Sequence, residues 1–243
     1  MVIDITIVLP SYNEEDRIRP ALEDLGRHLE DAPYTAEILV VDDGSTDRTA
    51  DLVRSIMQTR PRIRLIESHR NLGKGHALWL AANATRAPFL AIMDADMATP
   101  PEFIDRLLER LRAGDQVVVG SRVLPGSCIE VQQPLHRQLM GRIYRTLVQG
   151  LISVGFSDPQ CGFKGFHTAT LLKLLRRQTR NRFGFDIELL AIAEANRLRM
   201  SEIPVYWRHR SGSKVRLLVD PLRMLKDLAV VRGNIERGYY RLS

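Results

Sequence analysis

The sequence predicts an α/β fold: a Rossmann-like, mainly parallel sheet flanked by helices, completed by helices from the C-terminal half. Three observations carry this expectation. The chain is 243 residues long, the size of one compact α/β domain with a substantial core. Through its first half, short apolar runs alternate with stretches of helical period, the pattern of right-handed β-α-β crossovers. Each apolar run then ends in polar residues, so polar groups collect along the sheet edge where such folds bind ligands.

Residues 4–10, DITIVLP, read as a buried strand, and Glu14 to Glu30 carries Ile18, Leu22, Leu25 and Leu29 at helical spacing. Glu37–Asp42 is a second strand. It leads through Gly44-Ser45-Thr46 into a helix from about Asp47 to Gln58, with Ser45 or Thr46 as N-cap. Ile63–Glu67 is a third strand, followed by the turn Asn71-Leu72-Gly73-Lys74-Gly75 and a helix to about Thr85. Phe89–Met93 is a fourth strand, Pro101–Arg112 a helix opened by proline, and Gln116–Gly120 a fifth strand. The rhythm then changes to a loop at 124–134 and a helix whose stripe is Leu135, Leu139, Ile143, Leu147 and Leu151. An extended piece at 160–166, helices at 168–177 and 185–197, a strand at 200–207 and a helix from Asp220 to Arg237 follow.

Composition narrows the function. Apolar residues are 44% and charged residues 26%, with 16 glycines and 12 prolines, which excludes disorder, collagen and coiled coil. No apolar run approaches the roughly 20 residues that span a bilayer. The two cysteines, Cys128 and Cys161, make no disulfide framework, no Cys/His cluster has zinc spacing, and the cytoplasm is the expected compartment. Basic residues number 35 against 29 acidic ones, and 30 of them are Arg. Arginine grips phosphate bidentately, so the excess suits a nucleotide, a lipid phosphate or an anionic membrane surface, and equally a solvated face. Aromatics at 6%, without a basic stretch interleaved with stacking residues, speak against nucleic acid.

Four strand-end loops carry candidate chemistry. Asp94-Ala95-Asp96 sets two carboxylates one residue apart, suited to a hard divalent ion such as Mg²⁺ or Mn²⁺ that keeps positions open for phosphate oxygens. A helix-start acidic pair is the alternative. Asp42-Asp43-Gly44-Ser45-Thr46-Asp47 is either a base- and ribose-binding loop or a capping loop. In Pro10-Ser11-Tyr12-Asn13-Glu14, Tyr12 can stack on a base and Glu14 accept a ribose hydroxyl, while Asn13 can cap the next helix. Asn71-Leu72-Gly73-Lys74-Gly75-His76 lacks Walker spacing, yet Lys74 near a helix start favours an anion.

In this order and spacing, the four loops resemble family 2 glycosyltransferases with the GT-A fold, over nearly the whole chain. Asp158-Pro159-Gln160-Cys161-Gly162-Phe163-Lys164 and Phe185-Asp186-Ile187-Glu188-Leu189-Leu190 bring the likeness nearest to polyprenyl- or dolichyl-phosphate glucosyltransferase-like and dolichyl-phosphate mannose synthase-like proteins. The resemblance implies a single GT-A domain, with a nucleotide-sugar-binding half at 1–122 and an acceptor-side half at 123–243. It implies that Pro10, Tyr12, Glu14, Asp42 and Asp43 surround base and ribose. Lys74 and Ala95 join that donor set, and Asp94 and Asp96 handle metal and diphosphate. Ser121, Arg122, Arg137, Arg210 and Lys214 would face the acceptor and donor phosphates, with Asp96, Arg122, Arg210 and Lys214 as the catalytic groups. Asp158, Asp186 and Glu188 stay open between structural bonding and contact with sugar or metal.

One departure matters: Ala98 stands where relatives using GDP-mannose often have a polar metal-assisting residue. The implied activity is therefore inverting transfer of a hexose, glucose favoured, from UDP-glucose to a polyprenyl or dolichyl phosphate. GDP-mannose as donor, a soluble phosphorylated acceptor, or a non-catalytic nucleotide-binding module are the alternatives. The helix at 135–151, with Arg137, Arg142 and Arg145 beside it, and the helix from Asp220 would then lie either in the headgroup region of the cytoplasmic membrane face or in the core.

Overall fold

The computed structural model describes residues 2–131, 135–152, 155–182, 184–208 and 220–242. Its centre is a seven-stranded sheet built from β1 (Ile5–Ser11), β2 (Ala36–Asp42), β3 (Ile63–Glu67), β4 (Phe89–Ile92), β5 (Val117–Ser121), β7 (Lys164–His167) and β8 (Met200–Pro204), in the order β3-β2-β1-β4-β7-β5-β8. A small separate sheet pairs β6 (Cys128–Val131) with β9 (Tyr206–Arg208). The helices are α1 (Glu15–Glu30), α2 (Thr49–Met57), α3 (Lys74–Ala84), α4 (Phe103–Arg112), α5 (Leu135–Ile152), α6 (Thr168–Leu175), α7 (Phe185–Ala195) and α8 (Asp220–Glu236).

Apolar runs become strands buried on both faces: every residue of β2 is buried. β1 pairs in parallel with β2 on one side and β4 on the other. Because the chain goes from β1 outward to β2 and β3 and then returns to β4, the crevice beyond the ends of β1 and β4 is a topological switch point. β7 runs antiparallel between β4 and β5, so a strand from the second half closes the middle of the first half's sheet. Its Gly165 lets α4 settle on the sheet, since a Cβ there would overlap the Leu107 side chain. α4 in turn buries Ile104, Leu107, Leu108 and Leu111.

The expected elements are present, with four corrections. The loop expected at 124–134 contains β6. The single strand expected at 200–207 is broken at Val205 into β8 and β9, which belong to different sheets; the Val205 N–H donates to the Ser121 carbonyl at 3.0 Å. Ser45 and Thr46 do not cap α2. That helix starts at Thr49, whose N–H and hydroxyl are both held by the Asp47 carboxylate, at 2.9 and 2.5 Å. Asn13 does not cap α1: it takes a left-handed backbone, φ 54°, and bonds across to the neighbouring loop.

Candidate active site

The loops after β1 and β2 are laced into one floor. The Asn13 N–H donates to Ser45 Oγ at 2.8 Å, and Asn13 Oδ1 accepts the Thr46 N–H at 2.8 Å. The Glu14 N–H reaches Thr49 Oγ1 at 2.7 Å, and the Glu14 carboxylate pairs with Arg17 at 2.5 Å. Tyr12 and Pro10 are half-buried on this floor. Asp42 and Asp43 are both buried and already bonded. Asp42 accepts from the Ser45 N–H and hydroxyl, and burial pushes its carboxyl upward. Asp43 spends one oxygen on the Leu72 N–H at 2.9 Å and the other on the Gly73 N–H at 2.7 Å. Asp43 is thus the brace of the glycine-rich turn. Gly44 permits this approach with φ 75°, where a Cβ would meet the backbone of Arg70 and Asn71 at 2.7–2.9 Å.

That brace places Lys74, whose ammonium meets Asp94 Oδ1 at 2.6 Å and lies 5.9 Å from the Phe185 ring centre. Burial alone would raise the Asp94 carboxyl, but the Lys74 ammonium together with Lys164 and Arg122 outweighs it and holds the group below the ordinary carboxylate range. Asp96 leans the other way: burial and the negative charge of Asp94 push it up, although its Oδ1 accepts the Ala98 N–H at 3.0 Å. Ala95 between them is buried. Gly162 packs directly against Asp94, and a Cβ there would overlap Oδ2. Behind this lies Lys164, 1% exposed, which donates to Asp186 at 2.6 Å and to the Cys161 carbonyl at 2.5 Å. Asp186 also helps keep Lys74 charged, so Asp94, Lys74, Asp186 and Lys164 form an alternating array.

These residues fit a divalent cation. Asp94 and Asp96 are hard oxygen donors whose mutual repulsion a cation would relieve. Among the described residues no group of three His, Cys, Asp or Glu stands together, and a hard cation at Asp94 and Asp96 has room for water or phosphate oxygens.

The opposite side is basic. Arg122 grips Asp158 with Nε and Nη2 at 2.6 and 2.8 Å, and its N–H adds a third bond at 3.0 Å. Its guanidinium stacks 5.5 Å from the Trp207 ring centre. Trp207 is held in place by β9, because the Arg208 N–H donates to the Ala98 carbonyl at 2.9 Å. A cavity of about 300 Å³ opens beside Arg122 against α5. Trp207 lines both this cavity and a narrow cleft at Asp94 and Gly162, so the acidic and basic sides adjoin.

Of the residues singled out in the sequence, the structure gathers Pro10, Tyr12, Glu14, Asp42, Asp43, Lys74, Asp94, Ala95, Asp96 and Arg122 at this edge. Ser121 is fully buried, and its hydroxyl oxygen accepts the Val123 N–H at 3.5 Å. The side chain of Arg137, and the whole of Arg210 and Lys214, lie outside the described residues. Asp158 is bound by Arg122 and lines the cavity beside it, whereas Glu188 is fully buried and accepts from the backbone of Thr179 and Arg180 and from the Tyr240 hydroxyl. Cys161 is a buried thiol pushed up to about 11 by burial, in keeping with an apolar packing role. Trp207 escaped the sequence reading, and Gly162 and Lys164 entered it only as members of the 158–164 motif, without a role. A lysine and an aspartate inside apolar runs, at 164 and 186, were the available signal.

α5 shows two apolar faces. Tyr144, Val148 and Ile152 are buried, whereas Leu139 is 59% and Ile143 52% exposed, with Met140, Leu147 and Leu151 exposed alongside. In α8, Leu228 and Val231 are buried and Leu225 is exposed. Core packing holds for one face of each helix, and the other face is exposed. Among the described residues, no helix is long and apolar enough to cross a membrane.

This arrangement stands at the switch point of an α/β sheet, as in a group-transfer enzyme of this fold, and the family model for glycosyl transferase family 2 matches residues 6–175. The chain belongs to that family and is a glycosyltransferase. Its relatives include a dolichyl-phosphate beta-glucosyltransferase of Trichomonas vaginalis, 34% identical over 98% of this chain and 73% of that protein. The human dolichyl-phosphate beta-glucosyltransferase is 32% identical over 98% of this chain and 78% of its own length. Among solved structures, glucosyl-3-phosphoglycerate synthase from Mycobacterium tuberculosis in complex with Mn²⁺, uridine diphosphate and glucosyl-3-phosphoglycerate superposes with TM-score 0.73. It is 22% identical, covers 95% of this chain and 80% of its own, and shares the GT-A fold.

Proposed function

We propose that the chain transfers glucose from UDP-glucose to the phosphate of a polyprenyl or dolichyl phosphate at a membrane surface, inverting the anomeric carbon. The observation that carries this reading is the adjacency of two unlike sites across Trp207. One is the acidic edge at Asp94 and Asp96, and the other is the arginine-lined cavity. The activities of the dolichyl-phosphate relatives support the sugar and the acceptor.

In this reading Tyr12 and Glu14 meet base and ribose, while Asp43 keeps the Gly73–Lys74 turn in place beneath the diphosphate. Asp94 and Asp96 would hold a divalent cation, Mg²⁺ or Mn²⁺. When bound, the cation stabilises negative charge on the departing nucleotide. Lys74, released from Asp94, is placed to share that charge. Arg122, with Arg210 and Lys214 as further candidates, brings the acceptor phosphate toward the anomeric carbon despite the repulsion of two anions. A phosphate monoester has its second pKa near about 6, so the attacking oxygen is already ionised at neutral pH and needs no general base.

The exposed apolar face of α5 favours a lipid acceptor over a soluble one, which would leave that face without use. The test is a transfer assay offering UDP-glucose or GDP-mannose to farnesyl phosphate or glycerol 3-phosphate, with Mn²⁺ or Mg²⁺. Glucosylated farnesyl phosphate should form, and Asp96→Ala should abolish it while leaving the thermal transition in place. Preference for glycerol 3-phosphate, or full turnover by Asp96→Ala, would overturn the assignment.

A further inference from the structure

We propose that Glu188 is a positioning residue for Lys74, acting through the 178–182 loop, which together with Asp43 braces the glycine-rich turn. This rests on the transfer reading above, in which Lys74 shares the charge of the donor diphosphate, and deepens it by naming what holds the lysine in place. Asp43 fixes the N–H groups of Leu72 and Gly73. A second set of bonds comes from the loop ahead of α7: the Gly75 N–H donates to the Asn181 carbonyl at 2.9 Å, and Arg182 Nη2 donates to the Asn71 carbonyl at 3.2 Å. Both glycines serve this contact. A Cβ on Gly73 would overlap the Asn181 carbonyl oxygen, and one on Gly75 would meet Phe185 Cβ and Asn181 Cα at 2.9 and 3.0 Å. The turn therefore lies directly against the loop, and a displacement of the loop moves the start of α3, where Lys74 stands.

Residues 178–182 form neither helix nor strand, so their N–H groups need partners from elsewhere. Glu188, 0% exposed in the first turn of α7, supplies them. One carboxylate oxygen accepts the Thr179 and Arg180 N–H groups at 2.8 and 2.7 Å, and the other accepts the hydroxyls of Thr179 and Tyr240, both at 2.7 Å. Tyr240 is itself buried and fixed: Asn234 Nδ2 donates to its hydroxyl at 3.1 Å, and Asn196 Nδ2 donates to its carbonyl at 2.8 Å. A buried carboxylate that accepts four bonds is held in one orientation, and it holds the loop with it. Phe185, at the start of the same helix, has its ring centre 5.9 Å from the Lys74 ammonium. The first turn of α7 thus sets both the backbone support of Lys74 and part of its surroundings.

The test reads the turn directly and the ligand separately. Hydrogen exchange by mass spectrometry follows peptides covering 73–77, 178–182 and β1. Glu188→Ala should speed exchange by about tenfold in the first two and leave β1 unchanged. Tyr240→Phe, which removes one of the four bonds, should do the same in smaller measure, and it carries the test if Glu188→Ala fails to fold. Calorimetry with UDP and Mn²⁺ should show a Kd raised about fivefold in Glu188→Ala. Glu188→Gln should recover most of this, since its amide can turn the oxygen to the two N–H groups and the NH₂ to the two hydroxyls, which accept as well as donate. In a Lys74→Met background, Glu188→Ala should change the Kd by less than about twofold, because the brace then has no lysine to place. Unchanged exchange at 73–77, or an undiminished loss of affinity without Lys74, overturns the proposal and leaves the transfer reading intact. A wild type that binds no UDP overturns the transfer reading, and this role of Glu188 with it, whatever the exchange shows.

Discussion

At the scale of single residues, the site depends on close packing around one carboxylate. Asp94 is held on one side by Lys74 and on the other by the bare backbone of Gly162, which leaves no room for a methyl group. Gly162 has no need of a left-handed backbone, so its value here is space. We predict that Gly162→Ala folds but displaces the Asp94 carboxylate, lowering kcat/KM by about 100-fold, the scale of a misplacement near 1 Å. Steady-state kinetics at saturating Mn²⁺ measures this, and near-normal turnover would show that Asp94 tolerates the shift. The strand-end motif Asp94-Ala95-Asp96 was legible in the sequence because its spacing after an apolar run is local information. The clamp on Asp94 was not, since Gly162 lies far along the chain and meets Asp94 only through the pairing of β7 with β4.

At the scale of elements, α5 and α8 decide where the molecule meets its surroundings. They pack against each other, and each divides its apolar residues between an inward and an outward face. Leu228 is buried and Leu225 is 43% exposed on the same helix. Leu228→Ala should therefore destabilise the protein by about 2–5 kcal/mol through lost burial and a residual cavity. Leu225→Ala should change stability by no more than about 0.5 kcal/mol. Chemical denaturation of both variants checks the contrast, and equal effects would mean that the two faces are wrongly assigned. Helical period in the sequence located both elements. It could not say which apolar stripe faced inward, because a stripe looks the same whether a partner helix or solvent lies against it.

At the scale of the whole molecule, the two halves are locked together. β7 enters between β4 and β5, and Asp115 at the start of β5 joins Arg110 of α4, Arg199 and Ser201 of β8. Burial raises the Asp115 carboxyl, but the Ser201 hydroxyl and the two guanidiniums together bring it below its ordinary value. A carboxylate depressed in the folded state stabilises the fold fully above its unfolded pKa of about 3.9, and this contribution disappears as pH falls through the folded value. Asp115→Asn should cost about 2 kcal/mol at pH 7, a figure reduced because both arginines reach solvent. The gap from wild type should close progressively below about pH 4. Urea melts across pH 2–7 follow this, and a gap independent of pH would remove the ionic explanation.

The sequence by itself determined the succession of strands and helices and the set of strand-end loops. Those features arise from apolar period and from residues adjacent in the chain, including the acidic pair at 94 and 96. Tertiary structure alone decided that β7 runs against its neighbours, that residues 200–207 split between two sheets, and that Asp43 supports a turn. It also decided that Arg142 and Arg145 share a cavity with Arg122. Each of these follows from contacts between residues distant in sequence, whose energies depend on which surfaces are buried together.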